Sequence, residues 1–189
     1  MDKKELILAS TSIYRKDLLS RLGHPFTAMS PLIDEEKEKN PQWSPQELAE
    51  KLAFLKAQSL AGEGRVVIGG DQLVAFEGKI LGKPHTSEKA VEQLLSMQGK
   101  THELITAVCV FDGFTPHKIT DITRLTMKTL SRADLEKYVE RDQPLNCAGA
   151  YKIEKHGIGL FAKIESKDFT AIQGLPLIEL SKVLDTVGL

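Results

Sequence analysis

Val66-Val67-Ile68-Gly69-Gly70-Asp71-Gln72, closed downstream by Gly82-Lys83-Pro84, is the stretch around which this chain is organised. Two valines and an isoleucine running into Gly69 have the β-branched, wholly apolar character of a short buried strand. The paired glycines let the backbone turn tightly or approach a ligand closely. Asp71 follows, and Leu73-Val74-Ala75-Phe76 is a second apolar run. A carboxylate at the carboxyl end of a buried strand is where an α/β protein presents catalytic or metal-binding groups. An Asx turn is the plain structural alternative for a Gly-Asp pair.

Upstream, Leu6-Ile7-Leu8-Ala9 reads as a first buried strand that hands over through Ser10-Thr11-Ser12 to a helix. Tyr14, Leu18, Leu19 and Leu22 share one face of that helix, and Gly23 stops it. Arg15 and Lys16 lie in its first turn, where positive charge opposes the helix dipole. A bound anion removes the conflict, because backbone N–H groups, the hydroxyls of Ser10 and Ser12, and two cations then converge on it. A solvated basic face is the alternative. Phe26 to Met29 reads as a short strand, and Ser30 to Asn40 as a loop carrying Asp34-Glu35-Glu36, a surface charge run or a metal-facing group. Ser44-Pro45-Gln46-Glu47 is a capping box with proline at the first helical position. It opens a helix with Leu48, Leu52 and Leu55 inward, on which Lys51 and Lys56, taken alone, read as solvent-exposed.

Downstream, Glu77-Gly78-Lys79 predicts a hairpin turn into Ile80-Leu81. Gly78 to Lys83 falls one residue short of a P-loop and has Pro84 in place of Ser or Thr, so only Lys83 is kept, as a candidate phosphate ligand. Thr86 or Ser87 caps a helix through Met97. Thr101 to Phe111 and Lys118 to Thr129 predict an antiparallel hairpin across a loop at 112–116. Ser131 opens a helix that stops before Pro144. Alternation of Ile158, Leu160, Ala162 and Ile164 predicts a two-faced strand, and Pro176 begins a last helix with Leu177, Leu180, Leu184 and Val187 inward. The order is mixed α/β, with an antiparallel portion inserted between αβ units.

A chain of 189 residues with 41% hydrophobic and 27% charged residues is expected to form one globular domain. Net charge is −1, so no overall basic field favours nucleic acid, and an anionic ligand needs a local cluster. Cys109 and Cys147 have no CxxC spacing, and the five histidines have no zinc-ligand spacing. The charged amino end, Met1 to Glu5, and the short apolar run behind it predict neither a signal peptide nor a membrane span. A cytoplasmic protein is the expectation.

These motifs together resemble the Maf family of nucleotide pyrophosphatases, from Leu6 almost to the carboxyl end. The resemblance rests on Leu8-Ala9-Ser10-Thr11-Ser12 with Arg15-Lys16, Ile33-Asp34-Glu35, Lys56-Ala57, Gly69-Gly70-Asp71-Gln72, Gly82-Lys83-Pro84, Ala148-Gly149-Ala150-Tyr151 and Gly174-Leu175-Pro176-Leu177. It implies one Maf-like domain over residues 1–189, with a two-lobed mixed α/β fold, a twisted mixed sheet flanked by helices around a central cleft. It also implies a cytoplasmic enzyme that cleaves nucleoside triphosphates between the α and β phosphates with a divalent metal, Mg or Mn. Within the family the chain is most similar to the YceF-like branch, associated with 7-methyl-GTP. Tyr14, Gln72 and Glu154 stand where the dTTP/UTP branch carries Arg, Thr and Gln. Two positions depart from the pattern: Lys16 replaces a second arginine, and Tyr14 stands where the branch often has tryptophan.

Carried onto this sequence, the resemblance makes Asp71, Glu35 and Lys83 the catalytic candidates, with Asp71 and Glu35 holding the metal. Asp71 is either the general base or a metal ligand. Ser10, Arg15, Lys16 and Lys56 bind the triphosphate, and Tyr14, Gln72 and Glu154 select the base. The partner is a nucleoside triphosphate, with no nucleic acid or membrane, and a homodimer stays open. The rival functions are a pyrophosphatase acting on dTTP, UTP or mixed nucleotides, and a non-catalytic nucleotide-binding regulator of cell division.

Overall fold

The computed structural model describes residues 4–38, 40 and 42–189; the first three residues of the charged amino end, and residues 39 and 41 at the acidic loop, lie outside the described residues. The elements are β1 (Glu5–Ala9), α1 (Ile13–Ser20), β2 (Thr27–Met29), α2 (Pro45–Gln58), β3 (Arg65–Phe76), β4 (Lys79–Leu81), α3 (Ser87–Met97), β5 (Thr101–Asp112), β6 (Thr115–Met127), α4 (Arg132–Asp142), β7 (Phe161–Glu165) and α5 (Leu177–Thr186). Seven strands form one mixed sheet in the order β2-β1-β3-β5-β6-β7, with β4 paired to β3. The mixed α/β class is thus as the element order implied. The chain divides into two compact units: residues 1–72, 106–121 and 168–189 in the first, and 73–105 and 122–167 in the second.

In the first unit β1 pairs in parallel with β2 and with β3, Ala9 standing beside Gly69. Leu6, Leu8, Val66 and Ile68 meet Leu18 and Leu19 of α1 and Leu177, Leu180 and Leu184 of α5 in one core. The last helix therefore buries the face its leucine spacing predicted. α2 crosses the opposite face of β3, against Gly69. Its capping box is formed: Ser44 accepts from the Glu47 N–H while the Glu47 carboxylate accepts from the Ser44 N–H. Such a cap is worth about 1 kcal/mol and fixes where the helix starts.

In the second unit β4 folds back on β3 in antiparallel register through Glu77-Gly78, both at positive φ, and β7 pairs antiparallel with β6. α3 packs on α4. Thr86 and Ser131 are the N-caps of these two helices.

Three expectations need correction. β3 does not end at Gly69 but runs unbroken through Gly70, Asp71 and Gln72 to Phe76, so the glycines make no turn; they give room to the α2 backbone and to the Arg15 side chain. The β5–β6 loop is a two-residue turn at 113–114, because strand pairing on both sides overrides the turn preference of the Asp-Gly-Phe-Thr-Pro run. Residues 156–160 form a 3-10 helix, and only 161–165 are strand. There Phe161 is buried, Ala162 and Lys163 are exposed and Ile164 is partly buried, so the strand does not show two distinct faces.

Candidate active site

The period-two alternation of β3 decides which candidates meet in the first unit. Gly69 and Asp71 face α2; Gly70 and Gln72 face α1 and the segment before α5. A Cβ on Gly69 would lie 2.4 Å from both the Ala53 carbonyl oxygen and the Ala57 nitrogen. Only glycine lets the last turns of α2 come this close to the sheet. The neighbouring residue on α2, Lys56, then reaches Asp71, two positions along the strand.

Lys56 is 6% exposed and Asp71 6%. Lys56 Nζ donates to Asp71 Oδ1 at 2.7 Å and lies 2.9 Å from Glu35 Oε1. Glu35, on the loop after β2, is half-exposed, so one buried ammonium bridges an interior carboxylate and a solvent-facing one. A buried charge needs such pairing to be tolerated. Asp71 Oδ2 is also buried, yet accepts no hydrogen bond among the described residues. An acceptor of this kind, in a charged site, is suited to a cation or to a proton in transit.

Arg15 occupies the other face of β3. Gly70 and Gly174 flank it, since a Cβ on either would come within 3.3 Å of its side chain, and its Nε donates to the Gly174 carbonyl at 3.2 Å. Burial pulls its guanidinium below the ordinary value, while the carboxylates of Asp71 and Glu35 pull the other way. Ser12 is the α1 N-cap and accepts from the Arg15 N–H, and buried Ser10 accepts from the Ser12 N–H. Lys16 is half-buried in the same first turn. The serines and basic residues thus do gather at this helix terminus, but the serine oxygens already have backbone donors.

Gln72 Nε2 donates to Thr106 Oγ1 and to the carbonyls of Ala171 and Ile172, bracing the short helix ahead of Gly174. Tyr14 is 38% exposed and stands apart from the buried pair Leu18 and Leu19 that its spacing associated it with. Lys83 and Glu154 belong to the second unit. Lys83 follows β4 and is exposed; Glu154 is exposed at the centre of the turn 153–155.

The first unit therefore holds Lys56, Asp71 and Glu35 as one cluster on one face of β3, Arg15 and Gln72 on the other face, and Ser10 and Lys16 at the start of α1. Taken alone Lys56 read as exposed, and only the family resemblance made it a ligand; Thr106, Ala171 and Gly174 were missed as supports. Lys56 four residues after Leu52, on the buried stripe of α2, was the available signal for its burial.

Among the described residues no group of three or more His, Cys, Asp or Glu stands together to hold a metal. Glu35 and Asp71 are two carboxylates on one cation, with the Asp71 Oδ2 acceptor unused. That set fits Mg²⁺ or Mn²⁺ of the kind held by one or two carboxylates plus substrate phosphates. No described helix is long and apolar enough to cross a membrane.

A mixed α/β protein with a buried lysine–aspartate pair, joined by a half-exposed glutamate, beside a serine- and arginine-bearing helix terminus is the class these features define. The chain belongs to the Maf family, whose model, described as Maf-like protein, matches residues 5–187. A relative from Bdellovibrio bacteriovorus, named 7-methyl-GTP pyrophosphatase, is 65% identical over 189 residues, the whole of both chains. Relatives of the same name from Pseudomonas savastanoi pv. phaseolicola and Bordetella pertussis are 41% and 42% identical over 187 residues, covering 97% and 98% of this chain and 96% and 93% of theirs. A HAM1 protein from Coxiella burnetii aligns over 97% of this chain and 99% of its own, at 16% identity and a TM-score of 0.47.

Proposed function

We propose that this chain is a cytoplasmic, metal-dependent nucleoside triphosphate pyrophosphatase that hydrolyses 7-methyl-GTP to 7-methyl-GMP and diphosphate, removing a modified nucleotide. Identity of 65% across the full length of a relative bearing that activity in its name supports the substrate. The observation that carries the chemistry is the triad of Lys56, Asp71 and Glu35, with an unused oxygen on Asp71.

In this reading water attacks the α phosphorus, the bond to the α–β bridging oxygen breaks, and diphosphate leaves with the electron pair. Asp71 Oδ2 either takes the proton of that water or helps hold the metal; both uses need the same free lone pair. Glu35 and Asp71 would hold a divalent cation, which when bound neutralises phosphate charge and acidifies water. Arg15, Lys16 and Lys56 supply positive charge to the phosphates, and the α1 terminus adds its dipole. Lys83 is assigned to the phosphates as well. Tyr14 offers an aromatic face to the cationic methylated purine, and Glu154 accepts from its N1–H and N2–H edge. Gln72 acts by bracing the Ala171–Ile172 backbone.

Diphosphate release measured over 7-methyl-GTP, GTP, dTTP and UTP with Mg²⁺ or Mn²⁺ tests this. The highest kcat/KM is expected on 7-methyl-GTP. A maximum on dTTP or UTP would move the protein to the other branch. Nucleotide binding with no turnover on any of the four would make it a binding protein.

A further inference from the structure

Glu154 sits in an exposed turn, and exposed turns do not by themselves hold a carboxylate to the tolerance that base selection requires. Here the turn is fastened two residues to either side. On its amino-terminal side the Lys152 N–H donates to Tyr138 Oη at 2.9 Å, and Lys152 Nζ donates to the carbonyls of Asp142 and Gln143 at 2.9 and 3.0 Å. On its carboxyl-terminal side the His156 N–H donates to Asp142 Oδ2 at 3.0 Å, and His156 Nδ1 lies 2.8 Å from Asp142 Oδ1. The Lys152 carbonyl closes the loop by accepting from the N–H groups of Lys155 and Gly157. Both fastenings come from the last turns of α4 and its left-handed cap, Gln143.

Asp142 is the hub. Its side chain is 1% exposed, whereas His156 and Arg141, its two side-chain partners, are more than half exposed. A carboxylate this deep at a helix carboxyl end opposes the dipole and is costly unless its oxygens are paired. Two bonds to His156 and one from Arg141 Nε supply that pairing and hold the carboxyl below its ordinary value against burial, the largest opposing influence. An apolar residue here would leave the His156 N–H without its acceptor and untie the turn from α4.

We propose that Asp142 is a positioning residue for base selection, fixing the turn that carries Glu154 through His156 while Lys152 fixes its other end. The inference rests on the reading of Glu154 given above. Asp142 touches no reacting atom; its effect is on the discrimination among bases.

The test compares Asp142→Asn, His156→Ala and Glu154→Gln by steady-state kinetics on 7-methyl-GTP and UTP, with thermal midpoints recorded. Asp142→Asn and His156→Ala are expected to lower the 7-methyl-GTP/UTP ratio of kcat/KM by about 10-fold, mostly through KM, with kcat on UTP within twofold of wild type. Asp142→Asn added to Glu154→Gln should lower the ratio no further, because both act through one side chain. If Glu154→Gln lowers the ratio and the other two variants do not, the positioning role is overturned. An equal fall on both substrates, in the exposed-site variant His156→Ala as well as in Asp142→Asn, overturns it too, since that is a structural defect. If Glu154→Gln itself leaves the ratio unchanged, the base-selection reading falls and takes this inference with it.

Discussion

Lys56 Nζ donates to Asp71 Oδ1 at 2.7 Å because Gly69, two residues before Asp71 on the same face of β3, has no side chain. The glycine admits α2, α2 delivers the lysine, and the lysine makes a buried carboxylate tolerable. Glu35 closes the arrangement from the solvent side at 2.9 Å. Three side chains from three separate segments, Glu35, Lys56 and Asp71, thus depend on the single missing Cβ of Gly69.

Asp71→Asn should separate chemistry from folding. The amide cannot take a proton from water and is a poor metal ligand, so turnover on 7-methyl-GTP falls about 10²–10⁴-fold. Lys56 keeps Glu35 as a partner, so the thermal midpoint drops only a few degrees. More than half of wild-type activity at saturating metal would rule out this role for Asp71.

Gly69→Ala should damage the site from a distance. The new methyl meets backbone atoms of Ala53 and Ala57, which cannot swing aside as a side chain would. Overpacking of this kind costs about 1–3 kcal/mol, and relief by moving α2 carries Lys56 away from Asp71. Denaturant unfolding should show the loss, and kcat should fall with it. Gly64→Ala, whose Cβ meets nothing but whose φ is +72°, gives the strain of a left-handed residue without the clash. Equal kinetics for the two would refute the coupling.

How much of this was legible follows the range of the interactions. The Ser44 capping box, the Gly23 stop and the leucine stripe of α5 are local patterns, and each formed where its spacing placed it. The Val66-to-Gly69 run was read as a strand but cut short, because paired glycines next to an Asp look like a turn until α2 is known to lie against them. Ile158 to Ile164 alternates as a strand should, yet the Gly157 N–H bonds back to the Lys152 carbonyl and winds 156–160 into a 3-10 helix. Lys56 illustrates the limit for the site: its place four residues after Leu52 signals burial, but the two carboxylates it meets come from distant segments that no local pattern names.

Lys56→Met should expose how the triad deals with metal. Breaking a buried pair by removing one partner typically costs about 3–5 kcal/mol, here by leaving Asp71 uncompensated beside Glu35. The same change leaves two carboxylates with no internal cation, so Mn²⁺ should bind the variant without nucleotide and restore part of its stability. Wild type, whose carboxylates already share Lys56, should gain less. Thermal midpoints with and without Mn²⁺ decide it: no larger metal-induced gain in the variant would mean that Glu35 and Asp71 do not share a cation site.

His102 predicts a pH dependence of stability in the second unit. It is 1% exposed on β5, packs against Tyr151 and Phe161, and lies 3.1 Å from Tyr151 Oη through Nε2. Burial pushes its imidazole down to about 4, from an ordinary 6.5. The folded state therefore holds the neutral ring, and the unfolded chain takes up the proton first as pH falls. Well above pH 6.5 the histidine adds no pH dependence to the unfolding equilibrium. Between 6.5 and about 4 stability declines, and at pH 4.5 the loss from this residue is about 2–3 kcal/mol. His102→Phe keeps the aromatic packing, gives up the bond to Tyr151 and removes the titration. Urea unfolding of both proteins at pH 7 and 4.5 should show the wild type losing more stability than the variant by that amount. A difference below about 0.5 kcal/mol would mean that His102 is protonated in the folded protein, and that its burial is not what sets its ionisation.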